Sequence, residues 1–550
     1  GAPPEMERAM KNLNEECEFV LSMFLWTLMG LLTASGLAVL HRWFPLPGFV
    51  FLMIGLLWWV SLLALMVAIY WLPKSADNIF KHYRFLRRQA QTCSFYQPKP
   101  LSHLWKPSSP DAKEFTLMRP RDGFLLASRP WHLPRLCGGL IAFGGIGSGK
   151  SSCVMNGFLD HILSSVGSPK KLGGLILDFK GEYAEAVRLA CRKHGRSEDL
   201  VWLGPGHAHR WNPLDTKEPA HEVAARFAAT MRALGQKDNN TTFFGDQAET
   251  LFENALQLLR LGNSIPVPPP PGQIFQLINN PDYLESRLEM LPPPSDNLRL
   301  ADPIDRCHCY FGSEFPYLPD DCRQSIVATL NNMLHPLCTD SISAIVEGRS
   351  TFQLSEAASG SRVVYLQLPS SKSPKAGRAM GLLLKLAYYA EVRNKQLDQQ
   401  NYSFFFADEF HEYFTSDGDA LDTRFFAVSR QYDHINLVAT QNINNLTMLG
   451  EKPEAVRSFL SNIKTKIFLQ NSDKETNDYA KELFGQYVAE LGGAQGAQAQ
   501  LVPNVSASDF VRLQKPERGK SAFCESFILD ESSAKVDIAN RTARWPIHRM

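Results

Sequence analysis

Gly144-Gly145-Ile146-Gly147-Ser148-Gly149-Lys150-Ser151 fits the pattern G-x-x-x-x-G-K-[ST] without a mismatch, and no other stretch of the 550-residue chain constrains its fold as tightly. The pattern works only between a strand and a helix. The apolar run 140–143 predicts the buried strand, and from Ser151 onward Ser152, Cys153, Val154, Met155, Phe158, Leu159, Ile162 and Leu163 predict the helix. The glycines let the backbone curl around phosphate oxygens and aim N–H groups inward, while the helix N-terminus adds partial positive charge. Lys150 would reach the β- and γ-phosphates, the Ser151 hydroxyl would ligate Mg²⁺, and residues 144–152 as a whole would hold the nucleotide. Gly145 and Gly147 are followed by Lys150 where a third glycine would be needed for G-x-G-x-x-G, so a dinucleotide fold is disfavoured. A nucleoside triphosphate, ATP with Mg²⁺, is the expected ligand.

Two uncharged apolar runs precede this motif, at 19–40 and 48–72. Each exceeds the roughly 20 residues a helix needs to cross a bilayer. The first is too long for a signal-peptide core, and a second span follows at once. Gly30, Ala34 and Ala38 form a small-residue stripe suited to close helix packing. Only residues 41–47 separate the runs, so residues 1–73 predict a transmembrane hairpin. Lys74, Lys81, Arg84, Arg87 and Arg88 follow the second run, whereas the loop carries only Arg42, which places both termini in the cytoplasm of an inner membrane. Net charge is +1, so no global basic surface advertises nucleic acid, and any such contact must be local. The ten cysteines are scattered and expected to be reduced. The spacing of Cys307, His308, Cys309, Cys322 and His335 matches no standard zinc finger, so plain thiols are the preferred reading over a zinc site.

Residues 74–137 read as a cytoplasmic connector. Beyond it, short apolar runs at 140–143, 175–177, 363–368, 404–407, 435–439 and 466–469 end in polar residues, as parallel strands do, with helical patterns such as 381–393 between several of them. The fold class is α/β, a RecA-like doubly wound sheet over 138–214 and 351–550. Residues 215–350 change to helical periodicity broken by proline runs and predict an inserted all-α domain. The composition of 492–500 (GGAQGAQAQ) predicts a flexible loop.

Phe404-Phe405-Phe406-Ala407 ends in Asp408-Glu409, an apolar strand closed by two acids. Asp408 would hold the Mg²⁺ shell and Glu409 would orient and polarise the attacking water. Gln441 closes the next predicted strand and would face the γ-phosphate, or else is an ordinary polar strand end. Arg430 lies eleven positions earlier. It is either a finger reaching into a neighbouring subunit or a surface partner of Asp422 or Asp433.

These residues resemble the coupling ATPases of bacterial type IV secretion and conjugation, the TraD/TraG type. The resemblance runs through the two spans, the 144–151 motif, Asp178-Phe179-Lys180-Gly181-Glu182, Asn212-Pro213-Leu214-Asp215 ahead of the helical insert, Phe406-Ala407-Asp408-Glu409-Phe410, and Ser429-Arg430 with Gln441. A last part spans 464–485, so the resemblance covers most of the chain from 19 to 485. It implies a homo-hexamer of RecA-like subunits anchored in the membrane, ATP sites at subunit interfaces, and contact with components of the secretion channel. It also implies hydrolysis coupled to export of single-stranded DNA bound to a relaxase, or of protein effectors. A loop of seven residues between the spans is short for the family, and the chain ends at Met550 without an acidic tail, so recruitment is expected of the helical insert. Two other readings stand beside DNA translocation: a coupling ATPase dedicated to protein effectors, and a membrane-tethered scaffold that assembles on nucleotide but moves nothing.

Overall fold

The computed structural model describes the strand Thr116–Met118, the single helical positions Leu56 and Trp59, and residues 131–543 apart from 165–171, 235–240, 263–266, 297–298, 369–373, 396–400, 416–420, 448–451, 494–495, 517–522 and 532–534. The two apolar runs at 19–40 and 48–72 lie outside the described residues apart from those two positions. Among the described residues no helix is long and apolar enough to cross a membrane.

Strands β1 (Thr116–Met118) and β2 (Trp131–His132) pair antiparallel. The central sheet is built from β3 (Leu140–Phe143), β4 (Gly173–Asp178), β5 (Leu200–Leu203), β6 (Val363–Gln367), β7 (Ser403–Asp408), β8 (His434–Thr440) and β9 (Thr465–Phe468). A separate two-stranded sheet pairs β10 (Gln486–Gly493) with β11 (Gly496–Pro503). The segment 492–500, expected as a loop, is therefore largely strand, because cross-strand pairing overrides its glycine-rich composition. Finally β12 (Phe523–Asp530) and β13 (Lys535–Ala543) extend the central sheet to nine strands in the order β13-β12-β9-β3-β8-β7-β4-β6-β5. Pairing is parallel from β9 through β5, and β12 runs antiparallel to both β9 and β13.

The parallel strands are apolar on both faces because helices cover both. Ile141, Phe143, Leu175, Leu177, Phe405, Ala407 and Val438 join one buried cluster, which takes in the helix Pro374–Arg393. Their neighbours Leu140, Ala142, Ile176, Phe404, Phe406, Leu437 and Ala439 join the other, which takes in Asn156–Leu163 and Ala184–Lys193. Gly174 has no Cβ where the Phe404 ring of β7 closes in: a Cβ there would stand 2.6 Å from Cδ1.

Between β5 and β6 the described chain is helical, including Ala220–Ala233, Thr241–Leu261, Pro271–Asn279, Pro281–Glu289 and Asp320–Leu334. The Asn212–Asp215 turn fastens the two ends of this segment together. Asn212 Nδ2 donates to Gly348 O (3.0 Å) and Pro269 O (3.1 Å), and Asp215 Oδ2 accepts from Ser350 N (2.7 Å). Among the described residues no three or more His, Cys, Asp or Glu side chains gather as a metal-ligating group. Cys307 is buried, His308 Nε2 lies 2.9 Å from Pro292 O, and Cys309 Sγ donates to Glu314 Oε1 at 3.2 Å.

Candidate functional site

Parallel strands end together, so polar residues at their carboxyl ends converge. Here β3 lies beside β8, β8 beside β7 and β7 beside β4, with Phe143 opposite Thr440 and Asp408 opposite Asp178. The loop after β3 is hung from both neighbours: Gly144 N donates to Thr440 O (3.3 Å) and Gly145 N to Gln470 O (2.9 Å). Gly147 (φ 74°) and Gly149 (φ 94°) supply the left-handed turns that bend it. Helical winding starts at Lys150 with one wide π turn, Lys150–Met155, before the α-helix Asn156–Leu163. Ile146 at the tip is exposed, and Ser152 is half-buried with its hydroxyl 3.8 Å from Cys153 Sγ.

Lys150 is 6% exposed, and its Nζ lies 3.2 Å from Asp408 Oδ1 and 3.1 Å from Glu409 Oε1. The Ser151 hydroxyl donates to Asp408 Oδ2, and Gln441 Nε2 reaches Glu409 Oε2 at 3.3 Å. Lys150, Ser151, Asp408, Glu409 and Gln441 therefore meet in one place although 291 positions separate the first from the last.

Burial alone would raise the Asp408 carboxyl, but Lys150, with hydrogen bonds from Ser151 and Tyr183, outweighs it and holds Asp408 below the usual range. At Glu409 burial is likewise overcome, by Lys150 and Lys180. Burial pushes the His411 imidazole, 3.6 Å from Glu409 Oε2, down to about 4, so it is neutral at neutral pH. Glu409 itself stands in the left-handed region (φ 53°, ψ 46°). That conformation is uncommon for a residue with a side chain and is found at functional sites.

The donor set suits a phosphate and a hard cation. Among the described residues Ser148 Oγ, buried inside the loop, has no hydrogen-bond partner, and Ser151 Oγ with Asp408 puts a hydroxyl and a carboxylate side by side, the oxygen ligands Mg²⁺ takes.

Arg430 is not part of this cluster. It is exposed in the short turn Ser429–Tyr432 that leads into the first residue of β8, whereas Gln441 follows the last. Seven residues of strand put roughly 20 Å between those ends, so Arg430 lies at the opposite edge of the sheet from its own phosphate loop. Asp422 is not its partner, because that carboxylate is fully buried against Lys385 at 2.6 Å. Among the described residues Arg430 makes no ion pair with Asp433 either; only the backbone links them, Asp433 N to Arg430 O at 3.2 Å.

Sequence reasoning assigned no role to Lys180, Tyr183, Tyr365 or His411. Lys180 and Tyr183 follow the Asp178 that closes β4; the available signals are that acid-ended strand and, for Lys180, its place in the 178–182 block that resembles the coupling ATPases.

A family model described as type IV secretory system conjugative DNA transfer matches residues 140–501. No curated protein sequence matches the chain. Among solved structures, the bacterial conjugative coupling protein TrwBdeltaN70 in its unbound monoclinic form shares 10% identity, with a TM-score of 0.56 over 78% of this chain and 90% of that one. The plasmid coupling protein TrwB in complex with ADP and Mg²⁺ gives a TM-score of 0.56 at 10% identity, over 78% and 91%. TrwB with a non-hydrolysable ATP analogue gives 0.55 at 11%, over 78% and 90%. At such identities the likeness is one of fold, the RecA-like sheet with helices on both faces.

Proposed function

This chain belongs to the type IV secretory family of conjugative DNA-transfer proteins, and we propose that it is an ATP-hydrolysing coupling protein that delivers single-stranded DNA with its relaxase to a secretion channel. The observation that carries the ATPase reading is the meeting of Lys150 with Asp408 and Glu409 at 3.2 and 3.1 Å, at the carboxyl ends of β3 and β7, parallel strands that flank β8. In this reading the amides of residues 144–149 and the Lys150 ammonium hold the β- and γ-phosphates. Ser151 and Asp408 hold Mg²⁺, which when bound neutralises charge on the phosphate oxygens. Glu409 orients the attacking water, and Gln441 reports on the γ-phosphate through its contact with Glu409. Lys150 would exchange its carboxylate partners for phosphates as nucleotide arrives.

Since Arg430 faces away from its own site, its use as a finger requires a neighbouring subunit, which fits a ring of six. The family match and the fold shared with conjugative coupling proteins support the coupling role. The runs at 19–40 and 48–72 support anchoring in the bacterial inner membrane with both termini cytoplasmic. The helical segment fastened by Asn212 and Asp215 is the part we assign to receiving cargo.

The test is phosphate release by the purified protein with and without single-stranded DNA. Lys150→Ala should lose nucleotide binding, whereas Glu409→Gln should bind ATP and stall. Wild-type turnover in Glu409→Gln would remove the assigned water-positioning residue. ATP hydrolysis indifferent to DNA, in a protein that also fails to bind it, would favour protein effectors as the cargo.

A further inference from the structure

The two acids at the end of β7 are gripped from a third side, by the turn that follows β4. Asp178 closes that strand and accepts hydrogen bonds from the backbone N–H groups of Gly181 (2.8 Å) and Tyr183 (2.7 Å) and from the phenol of Tyr365 (2.8 Å). An acid bonded in this way folds residues 178–183 back over the carboxyl edge of the sheet. Two side chains are thereby aimed at β7. The Tyr183 hydroxyl donates to Asp408 Oδ2 at 2.8 Å, and the Lys180 ammonium donates to Glu409 Oε1.

Glu409 needs such support. Its left-handed backbone is held only if the surroundings over-determine it. The charged and titratable groups around its carboxylate are Lys150 from the phosphate loop, Lys180 from the β4 turn, Asp408 on its own strand, and His411 and Glu412 just beyond, with the neutral Gln441 amide completing the set. Asp408, Glu182 and Glu412 are further acids felt by Lys180. Of the two cations, Lys150 has a competing destination, because the nucleotide phosphates draw it away. Lys180 then remains as the cation on Glu409. Its side chain is 43% exposed while that of Glu409 is 4% exposed, so a partly exposed cation is anchored on a buried carboxylate. A buried charge depends on its partner far more than an exposed one does.

We propose that Lys180 is the positioning residue of the hydrolytic site, holding the Glu409 carboxylate in its water-orienting pose once Lys150 has turned to the phosphates. The inference rests on the reading of Glu409 as the residue that orients the attacking water. Lys180 touches neither phosphate nor metal in this role, so its removal damages the rate and leaves nucleotide binding alone.

The experiment compares full-length wild type, Lys180→Met, Lys180→Arg and Glu409→Gln by kcat and KM for ATP, binding of a non-hydrolysable ATP analogue, and melting temperature. Losing a hydrogen bond to a charged, buried group predicts a kcat about 10- to 100-fold lower in Lys180→Met. Analogue affinity should stay within about twofold of wild type, and Lys180→Arg, which restores the cation, should recover most of the rate. An unchanged kcat in Lys180→Met overturns the proposal. So does a matching loss of analogue affinity, which would put Lys180 on the phosphates, and so does failure of arginine to restore the rate. If Glu409→Gln itself turns over like wild type, the underlying reading of Glu409 is what fails. If it is dead while Lys180→Met is active, only the role of Lys180 is lost.

Discussion

Lys385 is fully buried in the helix Pro374–Arg393, and so is its partner Asp422, with Nζ 2.6 Å from Oδ2. The same ammonium donates to Tyr413 O and to Thr415 Oγ1 (3.1 Å), while Asp422 accepts from Tyr389 OH (3.0 Å) and from the Thr415 N–H (2.6 Å). This network ties the chain just downstream of Glu409 to the helix beneath it. Lys385→Met keeps the length of the stem and removes the charge. Asp422 is then left buried without its cation, and two oxygens lose a donor. Breaking one side of a buried ion pair costs about 3–5 kcal/mol. The compact unit that holds the pair spans roughly 430 residues, which at about 2.1 cal/mol/K per residue gives an unfolding entropy near 0.9 kcal/mol/K. The expected fall in Tm is therefore about 3–6 °C, read by calorimetry on wild type and variant side by side. Asp422→Asn should also destabilise, and the double variant should cost less than the two singles together, by roughly 1–3 kcal/mol, because the second change removes the charge the first left stranded. A shift below about 1 °C in Lys385→Met, or strict additivity of the two changes, would refute this account of the network.

Gly149→Ala places a Cβ 3.0 Å from Cys524 Cβ and 3.2 Å from Cys153 Sγ at a φ of 94°. Left-handed strain of about 1–2 kcal/mol plus overpacking of about 1–3 kcal/mol should distort the loop and weaken ATP binding at least tenfold; wild-type affinity in a fluorescent-nucleotide titration would sink the argument. Arg430→Ala should bind ATP nearly normally and lose most of its rate, and mixing it with Lys150→Ala subunits should restore part of that rate. Confirmed mixed rings with no recovery would exclude action in trans. Burial pushes the His434 imidazole down to about 3, against an ordinary value of 6.5. Between those values the unfolded chain holds a proton that the folded chain does not, so this group favours the folded state fully above pH 6.5 and progressively less as pH falls. Going from pH 7.5 to 5.5 should cost about 1.4 kcal/mol from His434 alone, measurable by urea unfolding, and stability that rises over that interval contradicts it.

Much of the site could be read without coordinates because its pieces are local. Residues 144–151 carry their conformation in their own glycines, and strands apolar on both faces announce themselves as short runs, so β3, β7 and β8 lie close to where periodicity puts them. Asp408 and Glu409 were legible as acids ending such a run. What stayed hidden is whatever depends on which strand lies beside which. The antiparallel β12 and β13, and the pairing of β10 with β11, are long-range choices that composition does not encode. The Asn212–Asp215 turn was visible as a motif, yet only the return of the chain at Gly348 and Ser350 makes it a clasp. Arg430 and Gln441 are near in sequence and far in space, because a strand that crosses the sheet separates them. Lys180 and Tyr183 are the converse, more than 220 positions from the acids they hold and brought there because β4 lies directly against β7. Local backbone preference and hydrophobic period act over a few residues, whereas strand order is settled by packing the whole sheet against its helices, and that order decides which side chains reach Glu409.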